Sequence, residues 1–280
     1  MRTTLAAFLA PLALLAAPAW AACPDDAAVE KLVADLTAMR PATLGAAPES
    51  NADALCMQDK LVERLVPTLG EPVGYKVGLT SKAAQEMFGA SEPVRGVLLD
   101  GMILDNGATV GRYAARGVFE ADMLVTVRSD EINIATTPMD VLRHIENVRP
   151  FIELADLVVA EGEALTPAVI TGINVGARLG VAGPPVRVRA TRSFLDQMAS
   201  MTVRMSSSED GEIFAVPGEA VLGHPLNAVL WLMNDGVKLE AGDVVSLGSF
   251  GPPQPAKPGQ TVTVAYDGLG NGPSVSVTLE

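Results

Sequence analysis

Two carboxylates stand two residues apart in Phe119-Glu120-Ala121-Asp122-Met123-Leu124-Val125-Thr126-Val127. In a strand, residues i and i+2 project from one face, so Glu120 and Asp122 would point the same way among apolar neighbours. Two readings compete: a solvated edge strand, or two acids converging on a divalent cation. The second needs a third acid, and Glu153 in Phe151-Ile152-Glu153-Leu154-Ala155-Asp156-Leu157 is the candidate. One cation, Lys76, interrupts the short apolar segment Gly74-Tyr75-Lys76-Val77-Gly78. The glycines beside it admit close approach of a ligand or another backbone, although a lone strand lysine also reads as an exposed face residue. His144, beside an apolar helical stripe, and His224, in a turn before Pro225, read as boundary and turn residues.

These residues need elements to position them. Asp25 to Arg40 has helical periodicity, and Ser50 to Val66 forms a second helix that Pro67 is expected to stop. Glu71 to Leu79 reads as a strand. Ser81 to Phe88 reads as a short helix between a serine cap and Gly89. Val94 to Val110 gives short strands turning at Asp100-Gly101 and Asn106-Gly107. Thr137-Pro138-Met139-Asp140 opens a helix whose stripe runs through Val141, Leu142, Ile145 and Val148 to Pro150. Phe151 to Val159, Val169 to Val175, Val186 to Ala190, Met201 to Met205 and Ile213 to Pro217 read as strands. A helix over 223–237 and strands at Val244 to Leu247, Thr261 to Tyr266 and Val275 to Leu279 complete the chain.

The N-terminus reads as a leader rather than as fold. Arg2 precedes a run of about a dozen apolar residues, and Ala19-Trp20-Ala21 fits the small-x-small cleavage rule. The run is too short for a permanent membrane helix. Residues 1–21 are expected to be a signal peptide, 22–70 a helical layer and 71–280 the main domain, in an exported, periplasmic or secreted protein. Removing Arg2 leaves 19 cations against 33 acids, a net charge of −14. That surface repels nucleic acid and anionic membrane. In an oxidising compartment the only two cysteines, Cys23 and Cys56, favour a disulfide, with two separate thiols as the alternative.

Several stretches resemble one family. Gly74-Tyr75-Lys76-Val77-Gly78-Leu79-Thr80-Ser81 is similar to the Gly-Tyr-Lys-x-Gly-Leu-Thr-Ser run of 2-oxopent-4-enoate hydratases and 4-oxalocrotonate decarboxylases, in the fumarylacetoacetate hydrolase superfamily. Glu120-Ala121-Asp122 falls at its Glu-x-Glu, and Glu153 with Asp156 at its Glu-x-x-Asp. The helix entry from Leu222 to Leu232 and the segment from Ala241 to Ser249 also resemble that family. The resemblance covers almost all of the chain after the leader. It implies an α+β fold, a mixed β-roll core with flanking helices and a small N-terminal helical layer. It also implies Mg²⁺ or Mn²⁺ held by Glu120, Asp122 and Glu153, with a small 2-oxo acid chelating the ion. Lys76 would serve as acid/base or electrostatic partner, and Tyr75 and Asn174 would contact substrate. The family habit implies a homodimer or larger homo-oligomer.

Three departures set limits. Asp122 is one methylene shorter than the expected glutamate. The Pro-Asp-[Phe/Tyr]-Gly segment is here Pro93-Val94-Arg95-Gly96, and Asp-Asn-Ala-Ser is here Thr171-Gly172-Ile173-Asn174. Two functions are therefore expected as alternatives. One is a metal-dependent hydratase-like lyase on a 2-hydroxypenta-2,4-dienoate-like acid. The other is a catalytically degenerate exported binding or scaffold protein of the same fold. Hydration, decarboxylation and C–C hydrolysis are not separated by these residues.

Overall fold

The acid-bearing strand is the middle of the molecule. The computed structural model describes residues 23–280, so the expected leader, residues 1–21, lies outside them. In chain order the elements are α1 (Asp26–Thr37), α2 (Asn51–Leu69), β1 (Pro72–Gly78), α3 (Lys82–Phe88), β2 (Val94–Leu99), β3 (Ile103–Asp105) and β4 (Thr109–Val110). There follow β5 (Gly117–Val127), α4 (Pro138–Arg143), β6 (Ile145–Asp156), α5 (Pro167–Gly172), β7 (Leu179–Ala182), β8 (Val186–Arg187) and α6 (Arg192–Ser200). The chain ends with β9 (Thr202–Ser207), β10 (Gly211–Pro217), α7 (Asn227–Asn234), β11 (Val244–Ser246), β12 (Gln254–Pro255), β13 (Thr261–Asp267) and β14 (Ser274–Leu279).

The main sheet has the order β2-β1-β11-β5-β6-β7-β3, with β12 on β5 and β8 on β6. Its two edges, β2 and β3, are consecutive in the chain, joined only by the 3-10 turn Asp100–Met102. That short link forces the sheet to curl until its edges meet. Leu98 and Ile103, from the two edges, share one apolar cluster with Leu124, Phe151 and Ala182. This is the expected β-roll. Its outer face carries Phe119, Ala121, Met123 and Val125 of β5, packed on the second sheet, β10-β9-β13-β14-β4, and on α4, α6 and α7. Alternation sends Glu120, Asp122 and Leu124 to the inner face instead.

The N-terminal helices do not form a separate unit. Leu32, Met57 and Leu61 share a core with Leu99, Val169 and Ile173. Cys23 and Cys56 are paired, with Cα atoms 5.6 Å apart, tying the chain ahead of α1 to α2.

Five expectations are corrected. Pro67 does not stop α2, which runs to Leu69: a proline in the last turn forfeits one hydrogen bond, and the Gly70 N–H still closes on Val66 O. The helix opened by Thr137 ends at Arg143; Ile145 and Val148 belong to β6, which accommodates Pro150 inside it because β5 pairs along its whole length. Val169 to Val175 is no strand. Thr166 caps a helix with Pro167 at its first turn, and the short apolar run carried no period to reveal it. The strand expected over Val186 to Ala190 shortens to two residues, and the helix expected over 223–237 to Asn227–Asn234.

Candidate active site

Register gathers the candidate residues on the inner face of the roll. Glu120 and Glu153 are directly opposed across the antiparallel pair β5–β6. Lys76 on β1 aligns with Ser246 on β11, which aligns with Leu124 on β5. The sheet thus brings Lys76, Ser246, Asp122, Glu120 and Glu153 to one end of the interior. Lys76 is 3% exposed, Asp122 0% and Glu153 5%, so the solvated-face readings of these three are set aside, while Glu120 is half-buried.

Each group has defined partners. The Lys76 ammonium is ion-paired with Glu153 and donates to Val175 O at 2.9 Å. Asp122 is anchored on β11 and the loop behind it: Ser246 Oγ–H donates to its Oδ2 at 2.6 Å, and Gly248 N–H reaches its two oxygens at 3.0 and 3.2 Å. Met123 N–H also donates to Oδ1, and the Tyr266 hydroxyl donates to the Asp122 carbonyl. The missing methylene of Asp122 is taken up here: the short side chain lies against its own sheet. Asp156 holds the loop before β5, accepting from Ala115 and Arg116 N–H at 3.1 and 2.9 Å.

Three carboxylates face one ammonium, and the imbalance shows in their acidity. Burial, then the Glu153 charge, pushes Asp122 up to about 7, against its hydrogen bonds. Burial and Glu153 likewise push Glu120 up to about 8, with Lys76 opposing. Burial raises the Tyr113 phenol, and Asp156, Glu153 and Glu120 add to that shift.

The donor set fits a hard divalent cation in type, since all three candidates offer oxygen. It fits in charge as well, because added positive charge would relieve both raised carboxyls. The geometry is less complete. Among the described residues no three acid, histidine or cysteine side chains are gathered about one point. Glu120 and Glu153 oppose each other, while Asp122 is turned to Ser246 and Gly248.

The two residues expected to contact substrate, Tyr75 and Asn174, stand in different surroundings. Tyr75 follows the opposite parity from Lys76 and packs against the outer core. Asn174 is near the site and its amide is bonded to β2: Oδ1 accepts from Val97 N–H at 2.7 Å and Nδ2 donates to Val97 O at 2.9 Å. His224 is structural, with Leu226 N–H donating to Nδ1 and Nε2 facing Leu195 O, and His144 ends α4. Sequence reasoning missed Ser246 and Val175 as partners of Asp122 and Lys76. Strand parity beside β5 could have found Ser246, but no pattern marks the Val175 carbonyl.

A cavity of about 620 Å³ lies outside the edge strand, between Pro93–Arg95, Thr166–Val169 and Trp231, and its lining omits Lys76 and all three acids. Among the described residues no helix is long and apolar enough to cross a membrane.

No protein-family model matches the chain. It is 32% identical over 206 residues to 2-keto-4-pentenoate hydratase 1 of Dechloromonas aromatica (strain RCB), covering 71% of this chain and 75% of the relative. It is 30% identical over 215 residues to 2-hydroxyhexa-2,4-dienoate hydratase of Comamonas testosteroni, covering 74% and 79%. Its fold matches 4-oxalocrotonate decarboxylase from Pseudomonas putida G7, a structure complexed with magnesium and adipate, with a TM-score of 0.77 at 24% identity over 91% of this chain and 97% of that one. The chain belongs to the fumarylacetoacetate hydrolase superfamily, in its branch of 2-keto-4-pentenoate hydratases and 4-oxalocrotonate decarboxylases.

Proposed function

We propose that the protein is a hydratase-like lyase acting on a small 2-oxo acid of the 2-hydroxypenta-2,4-dienoate type, with a divalent cation, Mg²⁺ or Mn²⁺, held by Glu120, Glu153 and Asp122. The observation that carries this reading is one buried ammonium among three carboxylates inside the roll. When bound, the cation supplies charge that stabilises the substrate as its enolate. Lys76 is the residue positioned to hold and move protons: its ammonium lies within the buried end and already has two acceptors. In hydration the 2-hydroxyl proton leaves and C5 gains a proton, giving the conjugated 2-oxo-3-enoate. Water then adds its oxygen at C4 and a proton at C3, so one water is consumed and no redox partner is needed. The apolar residues deeper in the roll, Leu98, Leu124 and Phe151, keep bulk water from this end.

The alternative of a degenerate binding protein draws support from Asp122 and Glu153, whose oxygens already have protein partners. Turnover decides. The mature protein is assayed for loss of dienoate absorbance with Mg²⁺ or Mn²⁺, with EDTA, and as Lys76→Met. Activity that EDTA abolishes and Lys76→Met lowers at least a hundredfold is expected. No turnover, together with a melting-temperature rise on adding Mg²⁺ and oxalate, would select the binding protein.

We further infer that the mature chain is exported and carries the Cys23–Cys56 bond oxidised, a reading supported by the paired geometry of the two cysteines. A homodimer or larger assembly is part of the same proposal, and light scattering on the purified protein tests it.

A further inference from the structure

The connection between α5 and β7 holds three successive residues in the left-handed region: Asn174 at φ +57°, Val175 at +53° and Gly176 at +66°. Asparagine and glycine tolerate that conformation, but a β-branched valine does not adopt it unaided. Such a backbone persists only where its surroundings over-determine it. Here two glycines make room for it. A Cβ on Gly78 would stand 2.6 Å from Val175 Cγ1, and one on Gly96 would stand 2.8 Å from the Asn174 carbonyl oxygen. The clamp itself is the Asn174 side chain. It is 1% exposed and pairs both its amide atoms with the main chain of Val97, 77 residues away, as a strand neighbour would. The result of the turn is to aim the Val175 carbonyl at the Lys76 ammonium.

We propose that Asn174 is the positioning residue of Lys76: its amide clamps the left-handed turn to β2, and the turn presents the Val175 carbonyl that, with Glu153, fixes where the ammonium lies. The proposal rests on Lys76 being the proton-handling group of the reading above, so its test includes a measurement that needs no turnover. Asn174→Ala and Asn174→Asp are made in the mature protein. The rate of Lys76 acetylation by sulfosuccinimidyl acetate is followed by peptide mass spectrometry, with Lys82 on the exposed face of α3 as internal standard. Release of the turn is expected to raise the Lys76 to Lys82 ratio at least tenfold in both variants. With 2-hydroxypenta-2,4-dienoate and Mg²⁺, kcat is expected to fall at least tenfold while KM stays within twofold. A folded Asn174→Ala protein whose labelling ratio is within twofold of wild type overturns the proposal. Should neither variant fold, hydrogen exchange of the wild-type Val97 amide decides: protection matching the interior strand amides supports the clamp, and exchange as fast as an open edge amide overturns it. Absent wild-type turnover defeats the functional reading alone, and the labelling still decides the role of Asn174.

Discussion

Burying carboxylates without enough positive charge has a sign that can be measured. Asp122 is fully buried and its carboxyl is pushed from 3.8 up to about 7. The folded protein therefore keeps a proton that the unfolded chain releases. Below about pH 4 both states are protonated and Asp122 has no effect. As the pH rises toward 7 its contribution becomes steadily more unfavourable, and above 7 it is constant. Each tenfold difference in proton affinity is worth about 1.4 kcal/mol, so the metal-free fold carries a penalty of about 4 kcal/mol from this residue at pH 8. About half of that penalty develops between pH 5.5 and 8. Glu120, raised to about 8, acts in the same direction. The acids whose affinity for protons is lowered, Asp26, Asp35 and Asp140, finish titrating below this window. His224, whose pKa burial lowers, acts oppositely. Asp122→Asn shares that histidine, so comparing the two proteins reads Asp122 together with the effect of its charge on Glu120. The asparagine can keep its Oδ1 on Gly248 and Met123 N–H and turn its amide toward Ser246 Oγ. The assay is urea unfolding in EDTA at pH 5.5, 7 and 8, repeated with excess Mg²⁺. Wild type is expected to lose at least about 2 kcal/mol relative to Asp122→Asn between pH 5.5 and 8 without metal. Mg²⁺ is expected to flatten the wild-type slope and to stabilise the variant much less. Parallel pH slopes for the two proteins in EDTA would refute the reasoning.

Two further outcomes follow from packing and covalent structure. In Gly180→Ala the new Cβ would stand 2.0 Å from Phe151 Cζ, so the ring opposite Asp122 must move; a loss of about 3 kcal/mol is expected in urea unfolding, and a change under 0.5 kcal/mol would show that the ring yields freely. Reducing the Cys23–Cys56 link, which spans 33 residues, is expected to lower stability by about 3–4 kcal/mol, read as the difference between unfolding curves with and without dithiothreitol.

What the sequence revealed, and what it hid, divides along a physical line. Period-2 alternation fixed β5, and with it the shared face of Glu120 and Asp122, because that pattern is local. Capping residues revealed α3 and the start of α4 for the same reason. The extent of β6 was hidden, since Ile145, Val148 and Pro150 read locally as the end of a helix and only the long pairing with β5 makes them strand. The run from Val169 to Val175 was misread because a segment of seven residues carries too little period to separate helix from strand. The burial of Lys76 depends on the sheet closing through the turn at Asp100–Met102, and the use of Asn174 depends on Val97. Both are long-range facts that no spacing encodes. Family resemblance supplied the residue set, and the structure adds where Tyr75 and Asn174 stand, one against the outer core and the other bonded to Val97.

The interior of the roll is divided along its strands in a way that bears on the choice between catalyst and relic. Moving two residues along β5 changes Asp122 to Leu124, and two along β6 changes Glu153 to Phe151. The polar end therefore has a dry apolar floor formed by Leu98, Leu124, Phe151 and Ala182. A fold that needed only stability would extend that floor, because well-packed apolar residues avoid the cost of burying charge. This chain instead keeps three acids and a lysine there, and places Ser246, the Gly248 amide and the Tyr266 hydroxyl around Asp122. Ser246 and Gly248 hold the short carboxylate, and Tyr266 its main-chain carbonyl, at a fixed position against a floor that excludes water, where the attraction of an added cation is strengthened. On the proposed reading the cost and the function have one origin: the charge that destabilises the metal-free fold is what would draw a divalent ion to it. That argument favours a site kept for a ligand over one left behind, and it makes the unfolding comparison with Asp122→Asn a test of function as well as of stability.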